Sequence, residues 1–420
     1  MPRSPILVLH FNELWLKGCN RPFFIRKLKD AVRLKTEDLP VRIDADPRAR
    51  LIVRAESDDA ARRAAARLQK TPGVQYIGVG YRAEPKLEAI VETGSRLMAE
   101  RSFDSFRVTA RRTVKRLPFR SSEIARSLGG RILADAESSG RAVKVDLSEP
   151  DATCFVEASA DDAFVYSDKL KAVGGLPSNT AGRLMCLLSG GIDSAVAAYK
   201  ILKRGVKVSF VHFYAEPENP GEDSPPIARE VVRILTEYQG ASRLYLVPFG
   251  DIQRQIVASA PDEFRLLLYR RMMLRMAERF AGWTRCHGVI TGDSIGQVAS
   301  QTIRNMEAVG AVAKRPVYRP LCGDDKEEIV RIAREIGTLE VSTAPFSDCC
   351  PRFMPHNPRI FSRVEELDEA EARLEVDRMV EEGIYWATRE IYEYRRGSVR
   401  LKSVREHTLT KEEEHEPLAG

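Results

Sequence analysis

The chain has 420 residues, of which 43% are hydrophobic and 30% charged, values typical of a folded enzyme with two or three domains. No run of about eighteen apolar residues occurs, which argues against a membrane-spanning helix, and the N-terminal apolar segment is too short for a signal peptide. The seven cysteines are odd in number and scattered, so we expect a reducing, cytoplasmic location and no secreted disulfide framework.

The first 170 residues show two successive patterns of short strands and helices. Helices are predicted over 21–33 and 58–69, between apolar runs such as ILVLHF and RLIVRA that predict strands. This order indicates a small α+β domain of the ferredoxin type over residues 1–80. A second α+β domain is predicted over residues 81–172, and the Gly- and Pro-rich stretch AVGGLPSNTAG then reads as a linker.

A basic segment lies inside the second predicted domain. Residues 101–131 hold nine Arg or Lys against two acidic residues, whereas the net charge of the whole chain is only +6. Such a local excess suits a polyanion-binding surface, because affinity for RNA depends on the number of phosphates contacted. Phe103, Phe106 and Phe119 are interleaved with the charges, which favours RNA binding over the alternative of a plain solvated face.

From Arg183 onward, strands of four to eight residues alternate with helices. Helices are predicted over 194–203, 227–238, 261–280, 297–308 and 325–337, the last capped by Asp324 or Asp325. The alternation indicates an α/β domain with a doubly wound, mostly parallel sheet over residues 173–395, followed by a C-terminal tail over 396–420. Ligands of such sheets bind beyond the carboxyl ends of the strands.

The stretch LLSGGIDS joins the first of these strands to its helix. Gly190 and Gly191 permit tight turns, and Ser189 and Ser194 add hydroxyl groups near the positive end of the helix. Asp193 would repel a phosphate here unless a cation lies between them, and Mg²⁺ is usually held by carboxylates together with substrate phosphates. We therefore predict an anion site with Asp193 as the metal ligand; a glycine turn without a ligand is the alternative.

This loop lacks the lysine of a Walker loop, which reaches the β and γ phosphates in γ-phosphoryl transfer. The absence favours a loop that binds pyrophosphate. The stretch LLSGGIDSAVAAY resembles the pyrophosphate loop (PP-loop) of the ATP pyrophosphatases. The resemblance implies cleavage of ATP between the α and β phosphates and transfer of AMP to a carbonyl oxygen.

Further motifs resemble the tRNA 4-thiouridine synthetases, also called tRNA uracil 4-sulfurtransferases (the ThiI family). In chain order they occupy residues 11–24, 110–133, 269–280, 289–302, 319–338 and 346–350. The resemblance runs from about residue 5 to about residue 383. It implies that a ferredoxin-like domain and a tRNA-binding THUMP domain precede a PP-loop ATP pyrophosphatase domain. Ala195 departs from the proline often found at that position in the family, a change that a first helical turn tolerates.

The resemblance also implies binding residues. Those for ATP are Leu187, Leu188, Ser189, Gly190, Gly191, Asp193, Ser194, His212, Phe213, Arg270, Gly292 and Gln301. Those for tRNA phosphates are Arg111, Arg112, Lys115, Arg116 and Arg120. A lone histidine at a strand end more often has a structural role, which is the alternative for His212. For Arg271 and Arg275, the neighbours of Arg270, the alternative is that they are charged residues on the surface of a helix.

Cys349 matches the family cysteine that relays persulfide sulfur. The alternative for the pair Cys349–Cys350 is two inert buried thiols. No Cys/His spacing indicates zinc, and an iron–sulfur cluster is disfavoured although scattered cysteines could converge. We expect no rhodanese-like domain after Cys349, so a separate cysteine desulfurase would donate sulfur. The thiol that would resolve the Cys349 persulfide is not determined by the sequence, and the candidates are Cys350, Cys322, Cys186 and a cysteine of a partner protein.

The expected reaction uses ATP and Mg²⁺ to adenylate O4 of the uridine at the eighth position of tRNA, after which sulfur displaces AMP and yields 4-thiouridine. One alternative is sulfur transfer to a thiazole-forming carrier protein in thiamine biosynthesis. Another is a non-catalytic tRNA-binding protein with a regulatory nucleotide site. The sequence leaves the oligomeric state open, with a homodimer as one option.

Overall fold

The computed structural model describes residues 4–46, 50–114, 116–215, 224–343 and 357–407. The chain divides into two compact units, Met1–Gly175 and Leu176–Gly420. No helix among the described residues combines the length and apolarity that crossing a membrane requires.

The first unit is built on one mixed sheet covered by helices. Its strands are β1 Ile6–His10, β2 Val41–Asp46, β3 Arg50–Ala55, β4 Tyr76–Ala83, β5 Ser105–Arg112, β6 Lys144–Val145, β7 Ala152–Ala158 and β8 Ala163–Lys171. Its helices are α1 Arg21–Thr36, α2 Asp58–Gln69, α3 Leu87–Ala99 and α4 Ser121–Ser138, with a 3₁₀ segment over Glu13–Asn20.

The eight strands form a single sheet in the order β2-β3-β1-β4-β8-β7-β5-β6. The two predicted α+β segments therefore share backbone hydrogen bonds, because β4 pairs antiparallel with β1 on one side and with β8 on the other. β5 pairs in parallel with β6 and β7. The α+β class follows from the sequence, but the joining of both segments into one sheet does not.

A buried polar cluster crosses this joined sheet. The Glu157 carboxylate on β7 accepts a hydrogen bond from the Tyr166 hydroxyl (2.7 Å) and pairs with Arg50 (2.8 Å). His10 on β1 lies 3.4 Å from the same carboxylate and stacks on Tyr76, with ring centroids 4.1 Å apart. Burial lowers the pKa of His10 to about 4, so this ring is neutral near pH 7.

The three phenylalanines of the basic segment lie in the core of this unit. Phe103, Phe106 and Phe119 are 7%, 0% and 5% exposed and belong to the apolar cluster beneath α3 and α4. The prediction that they interleave with the charges on an RNA-binding surface was wrong. Phe106 is an inward-facing position of β5, whereas Phe103 and Phe119 lie just before β5 and just before α4 and pack into the same core.

The second unit is a doubly wound α/β structure. Its strands are β9 Arg183–Leu187, β10 Lys207–Tyr214, β11 Ala241–Pro248, β12 Val289–Ile290, β13 Val317–Tyr318, β14 Thr388–Arg395 and β15 Ser398–Arg405. Its helices are α5 Ile192–Leu202, α6 Ser224–Gln239, α7 Gly250–Ser259, α8 Arg265–Trp283, α9 Ile303–Gly310, α10 Lys326–Ile336, α11 Leu339–Ser342, α12 Val364–Glu371 and α13 Val376–Tyr385. Short 3₁₀ segments lie at Asp262–Phe264 and Ala299–Gln301.

The strand order β13-β12-β9-β10-β11-β14-β15 confirms the predicted doubly wound sheet. The strands from β13 to β11 run in parallel, and β14 joins β11 in the antiparallel direction. The chain extends from β9 to β10 and β11 on one side and returns to β12 and β13 on the other. The loop after β9 therefore lies at a topological switch point, where α/β sheets bind ligands.

Two parts of this unit differ from the sequence prediction. Strand β15 lies inside the predicted tail 396–420, because Arg396 and Gly397 take positive φ values of 47° and 84° and turn the chain back along β14. As an edge strand, β15 is mostly exposed and carries no clear apolar alternation. The predicted helix over 297–308 is broken at Thr302, whose side chain accepts a hydrogen bond from the Asn305 amide and caps α9.

Candidate nucleotide site and basic surface

Hydrogen bonds to Ser189 and Ser194 hold the loop between β9 and α5 together. The Ser189 amide donates to Ser194 Oγ (3.0 Å), the two hydroxyls lie 3.1 Å apart, and the Gly191 amide donates to Ser189 Oγ (3.2 Å). Gly191 is the N-cap of α5, and no side chain caps the first amides of that helix. The helix therefore offers its N-terminal N–H groups and the positive end of its dipole to an anion.

Gly292, which follows β12, packs directly against this loop. A Cβ at that position would lie 2.7 Å from the Ser194 amide nitrogen and 2.9 Å from the Asp193 carbonyl carbon. A side chain cannot fit without moving backbone. The predicted importance of Gly292 therefore has a steric explanation, which is the close approach of two backbone segments.

A cavity of about 190 Å³ opens at this point. Nine of the twelve residues predicted to bind ATP line it: Leu187, Leu188, Ser189, Asp193, Ser194, Phe213, Arg270, Gly292 and Gln301. The sequence analysis missed seven other lining residues: Met273, Leu274, Thr291, Asp293, Val309, Val317 and Arg319. The wall thus combines an apolar part with a charged part, as expected of a site for a base attached to phosphates.

Gly190, Gly191 and His212 are not among the lining residues. His212 is fully buried, with Nδ1 2.9 Å from the Leu188 carbonyl oxygen and Nε2 2.8 Å from Ser224 Oγ. This geometry matches the structural alternative for His212, because the ring braces the end of β9 behind the cavity wall.

The charged part of the wall centres on Asp293, which is 4% exposed. Its carboxylate accepts hydrogen bonds from Arg270, from the Thr291 hydroxyl (2.7 Å) and from Arg319 Nε (3.3 Å). Burial alone would raise the pKa of Asp293, but the charges of the two arginines and the threonine hydrogen bond hold it below its ordinary value. The side chain is thus an anion between two cations.

Asp193 is held by partners from two other elements. Lys326, the first residue of α10, places Nζ 2.7 Å from one carboxylate oxygen, and Gln297 donates its amide to the other oxygen at 2.8 Å. A lysine is therefore present at the loop although the loop sequence lacks one. The motif over 319–338 contains Lys326, but its spacing does not show that α10 begins beside Asp193.

The cysteines considered for sulfur transfer differ in their exposure to solvent. Cys349 and Cys350 lie outside the described residues. Cys186 is fully buried, and burial raises the pKa of its thiol. Cys322 is partly exposed in the chain between Arg319 and α10. Of Cys186 and Cys322, only the latter is placed to meet another thiol.

The predicted tRNA-binding arginines lie on the first unit. Arg111, Arg116 and Arg120 are exposed, whereas Lys115 lies outside the described residues. Arg112 is partly buried and donates to the Phe119 carbonyl oxygen (2.8 Å), so it braces the turn between β5 and α4. The exposed arginines are available for phosphate contacts, and Arg112 has a structural role besides.

Comparison with family models gives three matches along the chain. A ferredoxin-like domain of ThiI matches residues 6–78, a THUMP domain matches 84–168, and the model described as thiamine biosynthesis protein (ThiI) matches 179–376.

Individual relatives agree. The chain is 40% identical to a probable tRNA sulfurtransferase of Thermus thermophilus, covering 89% of this chain and 91% of the relative. It is 34% identical to a protein of the same name from Macrococcus caseolyticus, over 97% and 98% of the two chains. The crystal structure of a 4-thiouridine synthetase–RNA complex with bound ATP superposes with a TM-score of 0.80 at 31% identity, covering 92% and 99% of the two chains. The chain belongs to the tRNA sulfurtransferase (ThiI) family.

Proposed function

We propose that this protein is an ATP-dependent tRNA sulfurtransferase that converts the uridine at the eighth position of tRNA into 4-thiouridine. One observation carries the proposal: Ser189, Ser194 and Asp193, the last of which pairs with Lys326, line a cavity that has both an apolar and a charged wall. That arrangement suits a nucleotide whose pyrophosphate lies on the loop.

In this scheme the adenosine occupies the apolar wall, near Phe213 and Leu187, and the triphosphate extends toward α5. The uracil O4 attacks the α phosphorus, the bond to the β phosphate oxygen breaks, and pyrophosphate leaves on the loop. Lys326 and the first amides of α5 stabilise the charge that develops on the leaving group. Adenylation is required because the carbonyl oxygen of uracil is otherwise a very poor leaving group.

We also propose that Mg²⁺ binds at this site together with the nucleotide. No three His, Cys, Asp or Glu side chains gather into a cage within the described part of the chain, so Asp193 and phosphate oxygens would hold the ion. The ion would neutralise charge on the phosphates when it is bound. Lys326 and Gln297 each donate to one oxygen of the Asp193 carboxylate and so fix its position in the first turn of α5.

Sulfur transfer is proposed for Cys349. The terminal sulfur of a Cys349 persulfide attacks C4, AMP leaves, and a second thiol then attacks the sulfur–sulfur bond, which frees the thiouridine and leaves a disulfide on Cys349. Cys322 or Cys350 is the proposed second thiol, and a cysteine desulfurase is the proposed source of the persulfide.

The tRNA is proposed to lie along Arg111, Arg116 and Arg120 of the first unit. Their substitution by alanine should weaken tRNA binding and reduce its dependence on salt, because each phosphate contact contributes to counterion release. Arg62 on α2 is exposed and serves as the matched control. If the Arg62→Ala control lost as much tRNA affinity, the effect would come from the net charge of the protein and not from these three positions.

The decisive experiment separates the two chemical steps. Asp193→Ala should abolish tRNA-dependent release of pyrophosphate, whereas Cys349→Ser should retain that release and lose 4-thiouridine, as measured by mass spectrometry of digested tRNA. Pyrophosphate release by the Asp193→Ala variant would refute the assignment of the loop. Normal 4-thiouridine from the Cys349→Ser variant would refute the sulfur role. Unchanged 4-thiouridine in the tRNA of a deletion strain would refute the function itself.

A further inference from the structure

Asp293 lies on the wall of the nucleotide cavity, yet its two carboxylate oxygens are occupied by protein donors. Oδ1 accepts from Arg270 and from the Gln301 amide (3.4 Å), and Oδ2 accepts from Thr291 and Arg319. All five side chains line the cavity. Four donors on one buried carboxylate leave it little capacity to bind a metal ion or a ligand directly.

The two arginines are fixed at both ends of their guanidinium groups. Arg270 comes from α8 and also donates to Ser300 Oγ (3.0 Å), and Arg319 follows β13 and also donates to the Met306 carbonyl oxygen (3.2 Å). Their side chains are each 20% exposed. Without the Asp293 carboxylate, the positively charged guanidinium groups of Arg270 and Arg319 would face one another in a largely buried part of the cavity wall and repel each other.

We propose that Asp293 is a positioning residue that holds Arg270 and Arg319 as a pair of guanidinium groups for the phosphates of the nucleotide. The inference rests on the proposed function for the identity of the nucleotide. Two arginines and one carboxylate carry a net charge of +1, and guanidinium groups bind phosphate oxygens as forks with fixed geometry. Arg319, which the sequence analysis did not single out, is thereby assigned to the nucleotide site.

The test compares two ligands that differ in their phosphates. Asp293→Asn keeps the volume of the side chain but removes its charge, so calorimetry should show affinity for ATP reduced at least tenfold and affinity for adenosine changed less than twofold. A collapsed cavity would weaken both ligands alike. Thr291→Val is the matched control, since it removes one hydrogen bond from the same carboxylate and should weaken ATP no more than about threefold.

Three results would overturn the inference: equal losses for ATP and adenosine, unchanged ATP affinity in Asp293→Asn, or unchanged ATP affinity in Arg319→Met. These results are distinct from failure of the proposed function. A wild-type protein that binds ATP but forms no 4-thiouridine would remove the proposed reaction and leave the role of Asp293 intact. Steady-state kinetics adds a second readout, because Asp293→Asn should raise KM for ATP more than it lowers kcat.

Discussion

Lys326 Nζ lies 2.7 Å from the Asp193 carboxylate, although 133 residues separate the two in the chain. The pair joins the N-terminus of α10 to the first turn of α5. A Walker loop carries its lysine within the loop itself, whereas here the lysine comes from a distant helix. In the proposed reaction this cation would act beside the departing pyrophosphate, which Asp193 and the first turn of α5 adjoin.

Lys326→Gln should lower the rate of tRNA-dependent pyrophosphate release by about 100-fold, because a preorganised charge on the leaving group is lost. The side chain is 52% exposed, so the fold should tolerate the change. Arg334→Ala, an exposed cation on the same helix, is the control and should keep wild-type activity. A rate within threefold of wild type for Lys326→Gln would remove the lysine from the chemistry.

Gly292→Ala should abolish ATP binding, because the added Cβ would meet the Ser194 amide nitrogen at 2.7 Å and displace the loop. Gly323→Ala provides the comparison, since a Cβ there meets no atom within 4 Å. Calorimetric titration with ATP measures both variants. Tight binding by Gly292→Ala would mean that the loop tolerates displacement.

Glycines in the helices of the first unit should respond to alanine in opposite directions. A Cβ at Gly129 or Gly130 in α4 meets no atom within 4 Å, so each substitution should raise the free energy of unfolding by about 0.5–1 kcal/mol through helix propensity. A Cβ at Gly94 in α3 would lie 2.6 Å from Leu128 Cδ2, so Gly94→Ala should destabilise the fold. Denaturant unfolding of the three variants tests the pattern, and a stabilising Gly94→Ala would contradict the packing of α3 on α4.

His10 should make the stability of the protein depend on pH. Burial lowers its pKa from 6.5 in the unfolded chain to about 4 in the fold, so the unfolded state binds more protons between these values. The contribution of the neutral His10 ring to the free energy of unfolding is fully present above pH 6.5 and is lost as the pH drops toward 4. The loss is about 1–2 kcal/mol between pH 7 and pH 5. Urea unfolding at both pH values should show this loss in the wild type and a smaller loss in His10→Gln. If both proteins lost the same stability between pH 7 and pH 5, groups other than His10 would cause the pH dependence.

Local chemistry was the part of the site that the sequence could predict. The loop residues Ser189 and Ser194 follow a strand and begin a helix, and that local order is enough to place them at the carboxyl end of a strand, where such sheets bind ligands. Asp293, Arg319 and Lys326 could not be placed in the same way, because each comes from a separate element and meets the site only through the strand order. The role of Phe106 was mistaken for a related reason, since interleaving along a strand does not show which face is buried.

The sequence also indicated the two α+β segments of the first unit without showing that they share a sheet. Strand pairing between β4 and β8 depends on contacts between residues that lie about 90 positions apart, and periodicity within each segment carries no information about it. The placement of Cys349 and Lys115 stays a prediction.

The joined sheet limits how the protein can be dissected. A fragment that began at residue 81 would lose most of β4, leaving β8 with an unpaired edge and Glu157 without the imidazole of His10. An exposed strand edge of that length favours aggregation. RNA-binding studies with an isolated THUMP segment would thus use a protein with an exposed strand edge, whereas the compact unit Met1–Gly175 keeps the whole sheet.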